Sequence, residues 1–128
     1  CGNATVEKVF LLNDLNSGTP INLGWPIFEG SKRMIDHPLT LDDVLAPIFE
    51  TTVRPGCMTG GFYFKEIESY VFSDFFGAIR LLKQKEDGDW YLLHEEIQSD
   101  MIWGMNLDKK TNKIFLSPDS RELEISID

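Results

Sequence analysis

The sequence is poor in cysteine, and this shortage excludes two classes of small protein. Only two cysteines occur among 128 residues, Cys1 and Cys57. One pair does not build the disulfide framework of a small secreted scaffold. The chain has no Cys-x-x-Cys and no Cys/His ligand spacing, so we predict no structural zinc site and no other metal or cofactor.

Positive charge is also scarce. Lysine and arginine number 12 against 21 aspartates and glutamates, which gives a net charge of −9. Nucleic-acid binding depends on lysine and arginine meeting phosphate, so we expect no nucleic-acid partner. The same negative field would attract a basic protein and speed its encounter with the chain. The alternative is that the charge serves solubility alone.

Long hydrophobic runs are missing. The longest apolar stretch, Tyr70 to Leu82, is interrupted by Ser73, Asp74 and Arg80. A membrane-spanning helix needs about 20 apolar residues, so no transmembrane segment is predicted. Hydrophobic residues still make up 42% of the chain, which is enough for a core. The length is that of an ordinary domain, and we predict a single domain over residues 1–128.

The chain starts with a cysteine. Cys1-Gly2-Asn3 resembles the start of a mature bacterial lipoprotein, in which the first cysteine carries the lipid. Such a protein needs an upstream signal segment, which the sequence does not contain. A strand-like run begins at Thr5 and leaves no flexible tether, so an artificial chain start is the alternative. We expect a cytoplasmic protein, with membrane anchoring through Cys1 as the other possibility.

Most of the patterning predicts strands. β-Branched and apolar runs bounded by turn formers occur at Thr5–Leu12, Ile21–Phe28, Phe62–Ile67, Ala78–Lys85, Trp90–His94, Met101–Leu107, Ile114–Leu116 and Leu123–Ile127. Asp87-Gly88 between two apolar runs is a strong hairpin signal. Residues 70–83 fit either one helix or two strands, and the meander that follows favours strands. Pro20 and Pro26 would make the second strand an edge strand or an irregular one.

One short helix is predicted, at Leu41 to about Ala46. Thr40 would cap its free amides, and Asp42 and Asp43 would lie at the positive end of the helix dipole. Pro47 would end or kink this helix. The predicted fold class is therefore α+β: mainly antiparallel β-sheet, with a β-meander in the C-terminal half and one or two short helices.

No group of residues predicts an active site, so we expect that the protein is not an enzyme. His94 and Glu96 share a strand face, but the second histidine, His37, is distant in sequence, and a metal site needs more ligands. Cys57 has only Arg54 as a neighbouring cation to activate its thiol. The pairs Asp42-Asp43 and Glu95-Glu96 are explained by helix capping and by a solvated strand face.

Three functions remain. The first is an acidic module that binds a basic protein partner, in its concrete form a bacterial immunity protein that neutralises a toxin. Its predicted partner-binding residues are Asp87, Asp89, Trp90, Glu95, Glu96, Asp100 and Trp103. The second is a periplasmic or cell-surface lipoprotein module attached through Cys1. The third is a small-ligand-binding β-rich domain, which only His94 and Trp25 support.

Overall fold

The computed structural model describes residues 6–13, 15–51 and 57–117, and the backbone of 121–124. The chain divides into two compact units, Cys1–Pro55 and Gly56–Asp128. Strands of the first unit are β1 (Glu7–Val9), β2 (Phe28–Glu29), β3 (Lys32–Arg33) and β4 (Phe49–Thr51). Strands of the second unit are β5 (Met58–Phe64), β6 (Ser69–Asp74), β7 (Ala78–Gln84), β8 (Trp90–Ile97), β9 (Gly104–Asp108), β10 (Lys113–Ser117) and β11 (Arg121–Glu124).

The first unit contains two short antiparallel pairs. Strand β1 pairs with β4, and β2 forms a hairpin with β3. The Glu50 carboxylate on β4 accepts hydrogen bonds from the Ser31 backbone N–H at 2.5 Å and from the Ser31 hydroxyl at 2.6 Å. Gly30 precedes Ser31 with a φ of +61°, a conformation that favours glycine. The hairpin turn is thus tied to β4 through Ser31 and Glu50.

Two predicted strands of the first unit are wrong in extent. Of Thr5–Leu12, only Glu7–Val9 pairs, and Thr5 lies outside the described residues. Of Ile21–Phe28, only Phe28 belongs to a strand. A turn replaces the rest, because the backbone N–H groups of Ile27 and Phe28 both donate to the Gly24 carbonyl. Pro26 lies within this stretch and has no N–H to donate to a ladder.

The predicted helix at Leu41–Ala46 is also wrong. It is a single 3-10 turn over Leu41–Asp43, and Val44 is already extended. Pro47 disfavours a helical conformation at the residue before it, and the few positions left are too short to offset the cost of helix nucleation. The other helical segment, Lys65–Ile67, is likewise one 3-10 turn. The α+β label therefore gives way to a fold that is mostly antiparallel sheet with almost no helix.

Thr40 is the N-cap of this turn, as predicted, and forms a capping box with Asp43. The Asp43 carboxylate accepts hydrogen bonds from the Thr40 N–H at 2.7 Å and from its hydroxyl at 2.8 Å. Both hydrogen bonds lower the pKa of Asp43, and the bond from the Thr40 backbone N–H has the larger effect. A lowered folded-state pKa gives stability that is present at neutral pH and is lost as the pH falls through it.

The second unit is built from two antiparallel sheets. Four strands form a meander in the order β5-β6-β7-β8, and three form a second sheet in the order β11-β10-β9. One core unites strands of both sheets, formed by the buried side chains Phe64, Val71, Ile79, Ile102, Ile114 and Leu116. The predicted meander in the C-terminal half is confirmed.

Residues 70–83 are two strands, as the meander pattern favours. β6 and β7 are joined by a turn at Phe75–Gly77, in which the Gly77 N–H donates to the Asp74 carbonyl at 3.1 Å. Several other boundaries shift. The strand predicted at Phe62–Ile67 runs over Met58–Phe64, and that at Met101–Leu107 runs over Gly104–Asp108. The last strand is described over Arg121–Glu124, and residues 125–127 lie outside the described part.

Gly77 has two independent reasons to be glycine. Its φ is +94°, where side chains are strained. A Cβ there would also meet the backbone carbonyl oxygens of Gln98 at 2.6 Å and Asp100 at 2.7 Å. The Gln98 N–H donates to the Gly77 carbonyl at 2.8 Å. The segment after β8 is therefore closely packed around this turn.

Gly77→Ala should lower the free energy of unfolding by about 1–3 kcal/mol, because it adds backbone strain and a steric clash. Gly104→Ala is the matched control, since Gly104 has no atom within 4 Å of an added Cβ. Urea unfolding of both variants measures the difference. Equal stability of the two variants would contradict the packing described for Gly77.

Candidate functional site

The residues predicted to bind a partner lie in two groups, one at each end of β8. Asp87, Asp89 and Trp90 lie at or next to the β7–β8 hairpin turn. Glu95 and Glu96 lie near the far end of β8, and Asp100 and Trp103 follow it. An antiparallel strand rises about 3.4 Å per residue, so Trp90 and Glu95, the nearest members of the two groups, lie roughly 17 Å apart along β8. They form two ends of one strand and not one compact site.

The hairpin turn displays carboxylates. The Lys85 N–H donates to the Asp89 carbonyl at 2.7 Å, and Gly88 takes a φ of +94°. The Asp87 carboxylate accepts the Asp89 N–H at 3.0 Å. Both aspartates are exposed, whereas Trp90 is half-buried. Its buried indole Nε1 has no hydrogen-bond partner within the described residues. Trp90 is therefore mainly a packing residue.

Glu95 belongs to a partly buried ion-pair network. Arg80 on β7 donates from Nε to Glu95 Oε2 at 2.6 Å and from its terminal Nη1 to Asp74 Oδ2 at 2.7 Å. The side chains of Arg80 and Asp74 are 8% and 6% exposed, whereas that of Glu95 is 37% exposed. Asp74 also accepts the N–H groups of Phe76 and Ala78. The charge of Glu95 is thus largely engaged within the protein.

Glu96 and Asp100 remain on the surface at this end of β8. Glu96 is exposed and accepts a hydrogen bond from the Gln98 side chain at 2.5 Å. Asp100 is exposed, and its carbonyl lies against Gly77. The backbone carbonyls of Gln98 and Asp100 border the β6–β7 turn.

An aromatic patch lies at the same turn and consists of the exposed Phe76 and Trp103 and the half-buried Phe75. The Phe75 ring meets Phe76 edge to face at a centroid distance of 5.5 Å and Trp103 at 4.7 Å. Trp103 is 58% exposed, and Phe76 is exposed as well. The Ile102 N–H donates to the Phe75 carbonyl, and the Trp103 N–H donates to Ser117, which fixes both segments. Sequence analysis identified Trp103 and missed the two phenylalanines.

The chemical candidates do not assemble into a reactive site. His94 is exposed on β8 and pairs across the sheet with Leu81, while Glu96 pairs with Ile79. Among the described residues no group of three or more histidine, cysteine or acidic side chains could hold a metal. Cys57 is disulfide-bonded, which removes it as a thiol nucleophile. Cys1, the candidate lipid-attachment residue, lies outside the described residues.

A shallow groove lies on the β9–β10 pair. Its volume is about 280 Å³, and it is lined by Gly104, Met105, Asn106, Phe115, Leu116 and Ser117. Ligand pockets are commonly 300–1,000 Å³ and enclose most of the ligand. None of the lining side chains is charged, and neither His94 nor Trp25 belongs to the groove. Within the described ranges no helix is long and apolar enough to cross a membrane.

Asp74→Asn should cost about 3 kcal/mol of unfolding free energy, because it removes a buried carboxylate partner of the buried Arg80 charge. Glu95→Gln should cost about 1 kcal/mol or less, since solvent screens the exposed partner. Chemical denaturation of the two variants gives the comparison. A larger loss for Glu95→Gln than for Asp74→Asn would show that Asp74 is not the main partner of Arg80.

Cys57 should resist alkylation by iodoacetamide in the folded, non-reduced protein and should become modified after reduction, because its sulfur is in a disulfide. Peptide mass spectrometry reads the modified fraction directly. Labelling of Cys57 without reductant, in protein kept oxidised throughout, would contradict the disulfide.

In comparisons with known proteins, no protein-family model, no curated protein and no solved structure matches the chain. The features of the molecule that bear on its function are therefore the two groups of carboxylates, the aromatic patch and strand β8.

Proposed function

We propose that this chain is an acidic protein-binding module that neutralises a basic protein partner. Its concrete form would be a bacterial immunity protein that binds a toxin. The observation that carries the proposal is the aromatic patch at the turn that the exposed Asp100 borders through its backbone carbonyl. Aromatic side chains contribute much of the binding energy at protein interfaces, and surrounding polar groups exclude water.

The distribution of charge supports a cationic partner. The net charge is −9. Exposed acidic residues of the second unit, within the part that the structure describes, are Glu66, Glu68, Glu86, Asp87, Asp89, Glu95, Glu96 and Asp100. Arg80, by contrast, is buried and held between two carboxylates. A negative surface of this kind raises the association rate with a basic protein and disfavours acidic ones.

The aromatic patch supplies apolar area whose burial stabilises a complex more than surface ion pairs do. Surface ion pairs are worth little each, since both partners are well hydrated. Burial of Phe76 and Trp103 against a partner would remove apolar area from water, at about 25 cal/mol per Å². The edge-to-face contacts with Phe75 hold the two rings in place before binding, which lowers the entropic cost of binding.

A periplasmic or cell-surface location is a second candidate, which the disulfide at Cys57 favours over the cytoplasm. Disulfides persist mainly in oxidising compartments. Lipid attachment at Cys1 would add the mass of the lipid to the chain. Intact-mass analysis of the natural protein tests for it.

Trp103→Ala should weaken binding to a basic partner by about tenfold or more, because it removes a central apolar anchor. The partner to use is the basic product of a gene next to this one, measured by calorimetry. Tyr63→Ala is the control: Tyr63 is 54% exposed on β5, at the other edge of the same sheet. Equal affinity of the two variants would contradict the role of the patch, and neighbouring genes that encode no basic protein would contradict the toxin-immunity form.

A further inference from the structure

Strand β8 is an open sheet edge. In the four-stranded sheet it pairs with β7 on one side, and no described strand pairs with its other side. Seven of its eight residues are exposed, and Trp90 is half-buried. An edge strand presents unpaired N–H and C=O groups that can pair with another chain.

Natural proteins usually protect such an edge, and β8 has little of that protection. It contains neither lysine nor proline, and its first four residues, Trp90 to Leu93, carry no charge. Leu92 and Leu93 are exposed. A bulge does interrupt the pairing, because Leu81 lies opposite His94 while Leu82 lies opposite Leu92. Bulges occur at sheet edges next to binding sites as well as at protected edges.

The charges along β8 have a definite order. Asp87 and Asp89 precede the strand, the leucines lie in its middle, and Glu96 and Asp100 lie at or after its end. An extended segment laid beside β8 would complement this order with cationic residues at both of its ends and apolar residues between them.

A second copy of this chain is a poor occupant. Two copies paired through β8 would bring together proteins that each carry a charge of −9, with Glu95 and Glu96 on the paired strands. Like charges across paired strands are destabilising. Glutamates on an edge therefore oppose self-association and favour a cationic strand.

We propose that β8 binds its basic partner by strand addition: an extended segment of about eight residues, basic at both ends and apolar in the middle, continues the four-stranded sheet beyond β8. Main-chain hydrogen bonds would supply affinity, and the side chains at the two ends would supply selectivity. This inference rests on the proposed function and specifies how the partner is bound.

Three synthetic peptides test it. The first has two lysines at each end and alternating valine and threonine between them. The second replaces the lysines with glutamate, and the third keeps the lysines but replaces both threonines with proline, which removes main-chain donors without changing charge. Fluorescence anisotropy gives each dissociation constant, and amide hydrogen exchange locates the binding.

The lysine–valine–threonine peptide should bind about tenfold more tightly than either other peptide, and β8 amides should gain protection from exchange. The variant Leu93→Lys should lose this binding, because it places a cation on the edge. Ile35→Lys is the matched control, since Ile35 and Leu93 are each 48% exposed. Circular dichroism confirms that both variants fold.

Failure of strand addition and failure of the proposed function give different results in these experiments. Equal binding of the proline peptide, or binding that leaves β8 amides unprotected, would overturn strand addition and leave the proposed function in place. A lysine peptide that binds no more tightly than the glutamate peptide would overturn both. Unchanged affinity in Leu93→Lys would place the peptide elsewhere on the protein.

Discussion

A single buried cation organises the surface of the second unit. Arg80 lies on β7 and bonds to Asp74 at the end of β6 and to Glu95 on β8. Its burial would be very costly without these carboxylates. The network therefore links three adjacent strands, and it lies beside the turn that carries Phe75, Phe76 and Gly77. The position of the aromatic patch and the register of the open edge both depend on this arrangement.

The same network divides the acidic residues into two kinds. Asp74 is buried and pairs with a charge inside the protein, whereas Glu95 pairs with the same charge while its side chain stays 37% exposed. Asp87, Asp89 and Glu96 are exposed, and they leave a negative surface at both ends of β8. Net charge alone cannot make this distinction, because it counts a structural carboxylate and a surface carboxylate equally. The proposed recognition rests on the exposed ones.

Local patterning predicted the meander because alternation and turn chemistry act over a few residues. Asp87-Gly88 located the β7–β8 turn, and the meander pattern favoured two strands over residues 70–83. The helix at Leu41 failed because Pro47 leaves too few positions for a helix to form. The Arg80 network could not be predicted, since Asp74 and Glu95 come together only through strand register. The same holds for the aromatic patch, because Phe75 meets Trp103 only in the folded chain.

The central claim is that carboxylates displayed on a folded β surface attract a cationic segment. The most direct measurement is the rate of association with a lysine-rich extended peptide, followed by stopped-flow fluorescence as NaCl is raised from about 20 to about 500 mM. The account predicts that the association rate falls steeply while the dissociation rate changes little. An association rate that does not depend on salt would contradict it.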